Sequence, residues 1–333
     1  QGACDMGCLP DVYPGYQPAA DPAVQARFSV AWGRPAPALP GLTSLAMSEA
    51  ARRGQLRALM VMGEELVVTD PDQNQLLRAL QALDFLVVVE LRLSETARLA
   101  DVVLPAAAFT EKDGTFTNCE RRVQRIRQAV APPGTARADW RILSALAARM
   151  GYSGMDWRDA EAVFAEMTAL TPLFSAMDYP ALDAAHGLQW PCDVGHPQGS
   201  PRLHEQGFPR GRGRLLPVSQ VALDEVPDAE YPFAFTTHRL HFHYGGGAMT
   251  RQSPLLERET PLALLFMHPA DGVALGLNER QAVRVRSRRG RLETRVHLTD
   301  DVPPGTLAMP YHFREAPCNQ LTNPAQDPIS RMP

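Results

Sequence analysis

Leu56-Arg-Ala-Leu-Met-Val-Met62, Phe85-Leu-Val-Val-Val89 and Asp101-Val-Val-Leu-Pro105 are the three stretches that decide the fold class. Each is a nearly continuous apolar run, and helical patterns at 44–53, 74–83 and 94–99 alternate with them. Continuous apolar strands that alternate with helices are typical of a parallel sheet covered on both faces. The sequence therefore predicts an α/β domain with a parallel sheet.

The composition excludes several classes of protein. The chain has 333 residues, of which 45% are hydrophobic and 21% are charged, and its net charge is −4. This balance argues against a disordered tail and against a nucleic-acid binder. No apolar run reaches the ~18 residues of a membrane span, and the five cysteines are odd in number and scattered. We expect a cytoplasmic protein without a disulfide framework or membrane insertion.

The whole chain divides by its pattern into three segments, 1–133, 134–228 and 229–333. Residues 1–41 are rich in Pro, Gly and Tyr without periodicity, so we expect an extended crossing segment before the α/β pattern. The second segment contains an amphipathic helix at 139–150 and is predicted to connect the other two through short helices and loops. In the third, short strands and an alternating hairpin around Arg288-Arg-Gly-Arg291 predict a small β-barrel.

Polar residues follow each of the three apolar strands. Gly63-Glu-Glu65 comes after the first, Glu90 ends the second, and Glu111-Lys-Asp-Gly-Thr115 follows the third. In open parallel sheets, ligands bind outside the carboxyl ends of the strands. A turn glycine and a carboxylate at a helix N-terminus would explain each feature alone, but their recurrence after three strands favours a binding site.

A glycine-rich stretch, Thr237-His-Arg-Leu-His-Phe-His-Tyr-Gly-Gly-Gly247, follows a strand of the third segment. Its glycines permit backbone N–H groups to approach a ligand closely. The histidines within it leave a metal site open as an alternative, but no neighbouring carboxylate or cysteine supports one. The cysteines are interpreted as buried or incidental thiols, and Arg284, Arg286 and Arg288 as the solvated face of a strand.

Lys112 is the only lysine beside 32 arginines. Because arginine stands at every other basic position, the surviving lysine indicates a site where a compact ammonium is required. The alternative is a surface lysine that has been spared by chance.

Long, ordered motifs in this chain resemble the molybdopterin-dependent oxidoreductases. They are Ser94-Glu-Thr-Ala-Arg-Leu-Ala-Asp-Val-Val-Leu-Pro105, Glu111-Lys-Asp-Gly-Thr-Phe-Thr-Asn118 and, near the end, Asn319-Gln-Leu-Thr322. Within that superfamily, Gln1-Gly-Ala-Cys-Asp-Met-Gly7, Tyr13-Pro-Gly-Tyr-Gln17 and His312-Phe-Arg-Glu-Ala316 are similar to the catalytic (alpha) subunit of formate dehydrogenases. The resemblance covers nearly the whole chain.

The resemblance implies oxidation of formate to carbon dioxide at molybdenum or tungsten held by two molybdopterin guanine dinucleotides. It implies a partial α/β oxidoreductase domain at 1–133, a connecting segment at 134–228, and a double-psi β-barrel that binds the dinucleotide at 229–333. It also implies that the metal-ligating Cys or selenocysteine, its His, an active-site Arg and a 4Fe-4S cluster belong to sequence before Gln1. We therefore expect no catalytic or metal-ligating residue here, an inactive chain in isolation, and iron–sulfur or flavin subunits as partners.

The resemblance also implies which residues contact the cofactor, and they lie in the first and third segments of the chain. Gly63 matches the start of a Gly-x-Asn element, whose third position is Glu65 here. Glu90 matches an acidic residue that binds a guanine nucleotide, and Ser94 matches a nearby Thr. The other implied cofactor-binding residues are Lys112, Asp139, Thr237, Arg239, His243, Gly245, Gly246, Tyr311 and Asn319.

Two alternative functions stay open at this stage. One is the homologous large iron–sulfur subunit of an NADH–quinone oxidoreductase, whose related domains can lack a pterin. The other is a non-catalytic scaffold for subunit assembly. Lys112, Asp139 and the glycine-rich stretch favour a retained cofactor over both alternatives.

Overall fold

The computed structural model describes residues 1–205, 207–208, 210–217 and 223–327. The chain divides into two units, which we call the first unit (1–43 and 104–218) and the second unit (44–103 and 219–333). Each unit therefore combines two separate stretches of sequence. The segment boundaries after residues 133 and 228 stay predictions, and positions 328–333 of the third segment lie outside the described residues.

The described helices and strands are numbered along the chain. The helices are α1 (Gly2–Asp5), α2 (Pro22–Trp32), α3 (Ser44–Arg52), α4 (Leu66–Thr69), α5 (Gln73–Gln81), α6 (Asp139–Arg149), α7 (Ala160–Leu170), α8 (Tyr179–Ala184), α9 (Pro254–Glu259) and α10 (Pro269–Ala274). The strands are β1 (Val12–Tyr13), β2 (Gln17–Pro18), β3 (Ala58–Met62), β4 (Phe85–Glu90), β5 (Val102–Pro105), β6 (Gly114–Thr117), β7 (Arg122–Ile126), β8 (Leu188–Gln189), β9 (Ala234–His238), β10 (Leu264–Met267), β11 (Ala282–Arg286), β12 (Arg291–Leu298) and β13 (Thr306–Pro310).

The α/β part of the second unit follows the predicted pattern. Strands β3 and β4 pair in parallel with Val61 opposite Val88, and β4 lies between β3 and β5. Val88 is fully buried because the strand packs between the sheet neighbours and the apolar face of α5, which contributes Leu76 and Leu80 to the same core. The predicted parallel sheet with flanking helices is confirmed.

The other part of the second unit is a five-stranded mixed sheet in the order β11-β12-β10-β13-β9. The predicted hairpin is present, since β11 and β12 pair antiparallel with Arg286 opposite Arg291. Two pairs are parallel, β10 with β12 and β9 with β13. A core that includes Leu265, Val296 and Met309 lies against the sheet. Closure of this sheet into a double-psi barrel stays a prediction.

The prediction of an extended segment at 1–41 was wrong, because α2 occupies 11 residues of it. Asp21 caps this helix by accepting a hydrogen bond from the N–H of Ala23, Pro22 takes the first turn, and Gly33 ends it at φ 64°. These are ordinary helix start and stop signals. Its buried Phe28 stacks on Tyr13, so tertiary packing stabilises a helix with little sequence periodicity of its own.

The first unit also contains a sheet that the sequence did not predict. Strands β6, β7 and β8 pair antiparallel in that order, and β8 comes from a position more than sixty residues after β7. Helices α6, α7 and α8 confirm the predicted helical character of 139–150 and of the stretch that follows. A core that includes Val123, Phe174 and Leu182 joins this sheet to α7 and α8.

No helix in the described part of the chain is long and apolar enough to cross a membrane.

Candidate functional site

The parallel pairing of β9 with β13 places two loops of the second unit side by side. Met309 lies opposite Thr237 and Pro310 opposite His238, so the chain leaves both strands at the same edge of the sheet. The loop after β9 comprises residues 239–247, and we call it the glycine loop. The segment after β13 begins with Tyr311 and His312. Carboxyl ends of neighbouring parallel strands are the usual location of ligand sites.

The glycine loop is tied to the β13 side through Arg239. Its Nε donates to Tyr311 Oη at 2.9 Å, which joins two of the sequence-predicted residues. Within the described residues, the backbone N–H groups of Gly245 and Gly246 have no hydrogen-bond partner. Gly245 has φ +53°, a left-handed conformation that favours glycine. Two neighbouring free amides suit an anionic or carbonyl-bearing group.

His312 is a residue of this site that the candidate residues did not include. It is only 1% exposed, its Nε2 accepts a hydrogen bond from the N–H of Leu240 at 2.9 Å, and its Nδ1 donates to the carbonyl of Gly245 at 2.6 Å. Burial lowers its pKa below the ordinary value. The available signal was the motif 312–316, whose histidine, arginine and glutamate all make contacts in the structure.

Helix α4 is the second point where predicted residues of the second unit meet. A Cβ on Gly246 would lie 3.1 Å from Thr69 Cγ2 and 3.3 Å from Glu65 Cγ, so the glycine loop packs directly on this helix. The buried side-chain amide of Asn319 donates to the carbonyls of Val68 and Thr69 at 2.8 and 3.1 Å. Asn319 thus satisfies the carbonyl end of α4.

Gly63 and Glu65 lie just before α4 but differ in their surroundings. Gly63 is exposed at φ +64°, and its N–H donates to the carbonyl of Val89. Glu65 is only 7% exposed, and its Oε1 accepts hydrogen bonds from the N–H and Oγ1 of Thr96 at 3.0 and 2.6 Å. Thr96 Oγ1 in turn accepts a hydrogen bond from the N–H of Val67. Glu65 therefore joins two loops of the protein.

Glu90 and Ser94 lie at the end of β4 and in the loop that follows. Glu90 is half-buried, and its Oε1 accepts a hydrogen bond from the N–H of Leu91 at 2.7 Å. Ser94 is buried, and its Oγ accepts from the N–H of Ala97 at 3.2 Å. Ser94 thus contributes local turn structure, while Glu90 keeps part of its surface accessible.

Thr237 and Asn319 both line a cavity of about 860 Å³ in the second unit. Arg284, Arg286 and Arg288 line it too, but each is paired with a carboxylate. Their partners are Glu293, Glu230, Glu225 and Asp228. These three arginines are therefore neutralised by neighbouring carboxylates and do not form an unpaired phosphate-binding patch.

Lys112 and Asp139 form an ion pair in the first unit. Asp139 begins α6, where a carboxylate also interacts favourably with the helix N-terminus. Lys112 lines a polar cleft of about 670 Å³ together with Arg125 and Tyr179. The buried Tyr179 Oη and Arg125 Nε have no hydrogen-bond partner within the described residues. These orphaned donors fit a polar ligand in the cleft.

The histidines of the glycine loop do not converge on a common point. His243 is buried, and its Nε2 lies 3.2 Å from the carbonyl of Thr260, whereas His241 is exposed against Phe242. Among the residues that the structure describes, no cluster of three or more His, Cys, Asp or Glu side chains could hold a metal ion. Cys192 and Cys318 are buried, and burial raises the pKa of both thiols.

Asp70, at the C-terminal end of α4, gives a pH-dependent prediction. Burial raises the pKa of its carboxyl to about 6, although Ser44 Oγ donates to it at 3.3 Å. A carboxyl whose pKa rises on folding makes the protein lose stability as pH rises from about 4 to about 6. We expect Asp70→Asn to raise the free energy of unfolding by about 1–3 kcal/mol at pH 8 and to have no such effect at pH 4.

Urea unfolding of both proteins at pH 4, 5, 6 and 8 measures this difference. Asp224→Asn is the matched control, because Asp224 is exposed. A gain for Asp70→Asn that is the same at pH 4 and pH 8 would contradict the prediction.

Two family models of known proteins match this chain. The family model "Molybdopterin oxidoreductase" matches residues 4–149, and the model "Molydopterin dinucleotide binding domain" matches residues 233–333. Together they match more than half of the chain, including every sequence-predicted site residue. The chain belongs to the molybdopterin oxidoreductase family.

Two relatives show which branch of the molybdopterin oxidoreductases the chain resembles. The F420-dependent formate dehydrogenase 1 subunit alpha of Methanococcus maripaludis is 42% identical over 100% of this chain and 49% of that protein. Formate dehydrogenase H of Escherichia coli is 34% identical over 100% of this chain and 47% of that protein. The chain thus spans about half the length of the curated relatives it matches.

A solved member of related fold supports the architecture. Acetylene hydratase from Pelobacter acetylenicus superposes with a TM-score of 0.61 at 18% identity, over 87% of this chain and 42% of that one. At this identity the likeness concerns the fold alone. The sequence resemblance to molybdopterin-dependent oxidoreductases is confirmed by the family models, while the roles of individual residues stay predictions.

Proposed function

We propose that this chain is the C-terminal, cofactor-binding part of a formate dehydrogenase catalytic subunit. The complete subunit would oxidise formate to carbon dioxide. The observation that carries the proposal is the glycine loop, which follows β9 at the edge where the carboxyl ends of β9 and β13 meet. The backbone N–H groups of Gly245 and Gly246 have no partner among the described residues, and Gly246 packs against α4. The similarity to formate dehydrogenase alpha subunits along the whole chain supports the choice of substrate.

The residues of the second unit fit a pterin dinucleotide. Arg239 within the glycine loop and Tyr311 beside it offer polar groups. Glu90 offers a half-buried carboxylate for a guanine or ribose, and Thr237 lines a cavity of the same unit. Glu65 and Asn319 would act indirectly, because their polar atoms bond to the protein and hold α4 and the loop before it. A bound molybdopterin metal centre would supply the two-electron redox chemistry.

The residues of the first unit fit a polar part of the same kind of group. The Lys112 ammonium is held by Asp139 and lines the cleft that also contains Tyr179 Oη and Arg125 Nε without partners. We propose that Lys112 places its positive charge against the pterin and that Asp139 fixes the orientation of the ammonium. Burial of a polar ligand here would satisfy the orphaned donors.

The remaining functional proposals concern the complete subunit. We propose that its cofactor is bis(molybdopterin guanine dinucleotide) with molybdenum or tungsten, and that sequence outside this chain holds a 4Fe-4S cluster. Iron–sulfur or flavin subunits as electron acceptors and a cytoplasmic location are proposed as well. The similarity to formate dehydrogenase alpha subunits supports these proposals.

Pterin and metal analysis of the purified full-length subunit tests the proposal. We expect the fluorescence of oxidised pterin, guanine nucleotide released by hydrolysis, and molybdenum or tungsten, together with formate-dependent reduction of a dye. A full-length subunit that contains neither pterin nor metal would favour the assembly scaffold or the iron–sulfur subunit of an NADH–quinone oxidoreductase. A full-length subunit that contains pterin and metal but does not oxidise formate would support the proposed cofactor and contradict formate as the substrate.

Lys112→Arg in the full-length subunit is expected to lower formate turnover at least tenfold, which corresponds to about 1.4 kcal/mol in the barrier. The wide, planar guanidinium cannot replace a compact ammonium between Asp139 and the cleft. Because lysine and arginine are both positively charged and position 112 is partly exposed, we expect the melting temperature of Lys112→Arg to be unchanged. Arg158→Lys is the reverse exchange at an exposed ion pair with Asp159 and should leave turnover unchanged. Normal turnover with normal metal content in Lys112→Arg would refute the role.

A further inference from the structure

The glycine loop is held at two points by one side chain. The N–H of Leu240 donates to His312 Nε2 at 2.9 Å, and the carbonyl of Gly245 accepts from His312 Nδ1 at 2.6 Å. These two backbone groups lie on either side of residues 241–244 of the loop. A single imidazole therefore fixes both ends of the segment that leads into the Gly245 and Gly246 amides.

Only one protonation state of His312 can make both hydrogen bonds. A backbone N–H can only donate, so Nε2 must be unprotonated, and a backbone carbonyl can only accept, so Nδ1 must carry the hydrogen. The neutral Nδ1–H tautomer meets both conditions. A second proton, on Nε2, would place two donors against each other at the Leu240 contact and would break it.

His312 is itself held firmly in place. Its carbonyl accepts a hydrogen bond from Arg251 Nη1 at 3.4 Å, and the Arg251 guanidinium lies 4.5 Å from the ring centre of the buried Phe313. Arg251 is held by ion pairs of 2.9 Å to Glu257 and 2.8 Å to Glu315. A Cβ on Gly247 would lie 3.0 Å from the His312 carbonyl, so the loop and the histidine backbone are in close contact.

We propose that neutral His312 is the positioning residue that gives the glycine loop its binding shape and releases it on taking up a second proton. The inference rests on the proposed function for the identity of the ligand that the loop binds. The positioning role itself rests on the two hydrogen bonds of His312. It assigns a role to a residue outside the implied cofactor contacts, because His312 acts through backbone groups of the loop.

The surroundings of the imidazole favour the neutral form. Burial lowers the pKa of His312 from its ordinary value of 6.5. The hydrogen bond to the Gly245 carbonyl raises this pKa but does not outweigh burial. His243 in the loop, at a ring distance of 5.7 Å, His238 at the end of β9 and Arg239 lower it further. The other charged or titratable groups around it are Tyr311, Arg251, Glu257 and Glu315.

The pH dependence follows from the direction of this shift. A histidine whose pKa falls on folding contributes fully above its unfolded pKa of about 6.5, and the contribution is lost as pH falls toward the folded pKa. We therefore expect the glycine loop to be ordered at neutral pH and to open in mildly acidic solution. His238 adds to any loss of global stability, because burial lowers its pKa as well.

Hydrogen exchange of the glycine loop in the full-length subunit tests the proposal without depending on activity. After correction for intrinsic rates, protection of the Leu240 amide at pH 7.5 should fall about tenfold or more in His312→Phe, which keeps a ring and loses both nitrogens. His312→Gln can accept and donate once each and does not titrate. In His312→Gln the Leu240 amide should stay protected at pH 7.5. Its protection should not decrease between pH 7.5 and pH 5, as it does in the unsubstituted protein.

The exposed His186, replaced by glutamine, is the matched control and should behave as the unsubstituted protein. Equal loop protection in His312→Phe and the unsubstituted subunit would overturn the proposal, as would an undiminished pH dependence in His312→Gln. Pterin content, measured on the same preparations, separates the two proposals. Loop protection that depends on His312 in a subunit without pterin would confirm the positioning role and refute the proposed cofactor.

Discussion

Asp5→Ala is expected to lower the free energy of unfolding by about 3–5 kcal/mol, the largest effect of a single substitution that we predict. The Asp5 carboxylate is completely buried and accepts three hydrogen bonds, from Trp190 Nε1 at 2.7 Å, Tyr16 Oη at 2.7 Å and Gln1 Nε2 at 2.6 Å. Alanine would leave a cavity and several donors without an acceptor. Asp5 and Tyr16 belong to two of the motifs that suggested the family, and the structure joins them by a hydrogen bond.

Chemical denaturation measures this loss, and Asp11→Ala, at an exposed position of the same segment, is the matched control. A second variant, Asp5→Asn, keeps the shape and removes the charge. The pKa of Tyr16 is raised to about 12, first by burial and then by its hydrogen bond to Asp5. In Asp5→Asn, spectrophotometric titration should find that pKa lower but still above 10. An unchanged Tyr16 pKa together with unchanged stability would contradict this account of Asp5.

Glu65→Ala is expected to lower the free energy of unfolding by about 3 kcal/mol even in protein without cofactor. The substitution removes the acceptor of two hydrogen bonds from the completely buried Thr96. Because Thr96 Oγ1 also accepts from Val67, the loss would extend to the first turn of α4. The glycine loop packs on this helix, so we expect weaker cofactor retention as a secondary consequence.

The adjacent Glu64 provides the control, since its side chain is exposed and its contact with Thr69 is 3.5 Å long. Denaturation of the two variants without cofactor should show a large loss for Glu65→Ala and less than about 0.5 kcal/mol for Glu64→Ala. If Glu65→Ala keeps its stability but loses the cofactor, Glu65 contacts the ligand directly and the structural role is wrong.

The sequence correctly predicted the elements whose periodicity and end signals are local. Strands β3 and β4 are continuous apolar runs, and α5 carries its apolar residues on one face, so burial could be read from spacing alone. The hairpin of β11 and β12 alternates strictly across its turn. The family was recognisable for a related reason, since each of its motifs is a continuous stretch of sequence.

Elements that depend on distant partners were missed. Helix α2 has little apolar periodicity, and Phe28 is buried through contacts with Tyr13 and Trp32 and through the core that Leu170 joins. Strand β8 pairs with β7 across a long separation in sequence. In both cases one stabilising contact comes from far along the chain, from Leu170 for α2 and from β7 for β8, and no local pattern records it.

By itself the sequence determined the parallel sheet and predicted which residues bind a ligand, namely the strand-end carboxylates, the glycine loop and the single lysine. Only the tertiary structure decided which partners each of them has. It showed that Glu65 and Asn319 bond to the protein around α4, that Lys112 pairs with Asp139, and that both ring nitrogens of His312 bond to the backbone of the glycine loop. The physical reason is that a polar group's role depends on which partners satisfy its hydrogen bonds after burial. Those partners are set by strand register, as in the pairing of β9 with β13, and by the packing of distant segments.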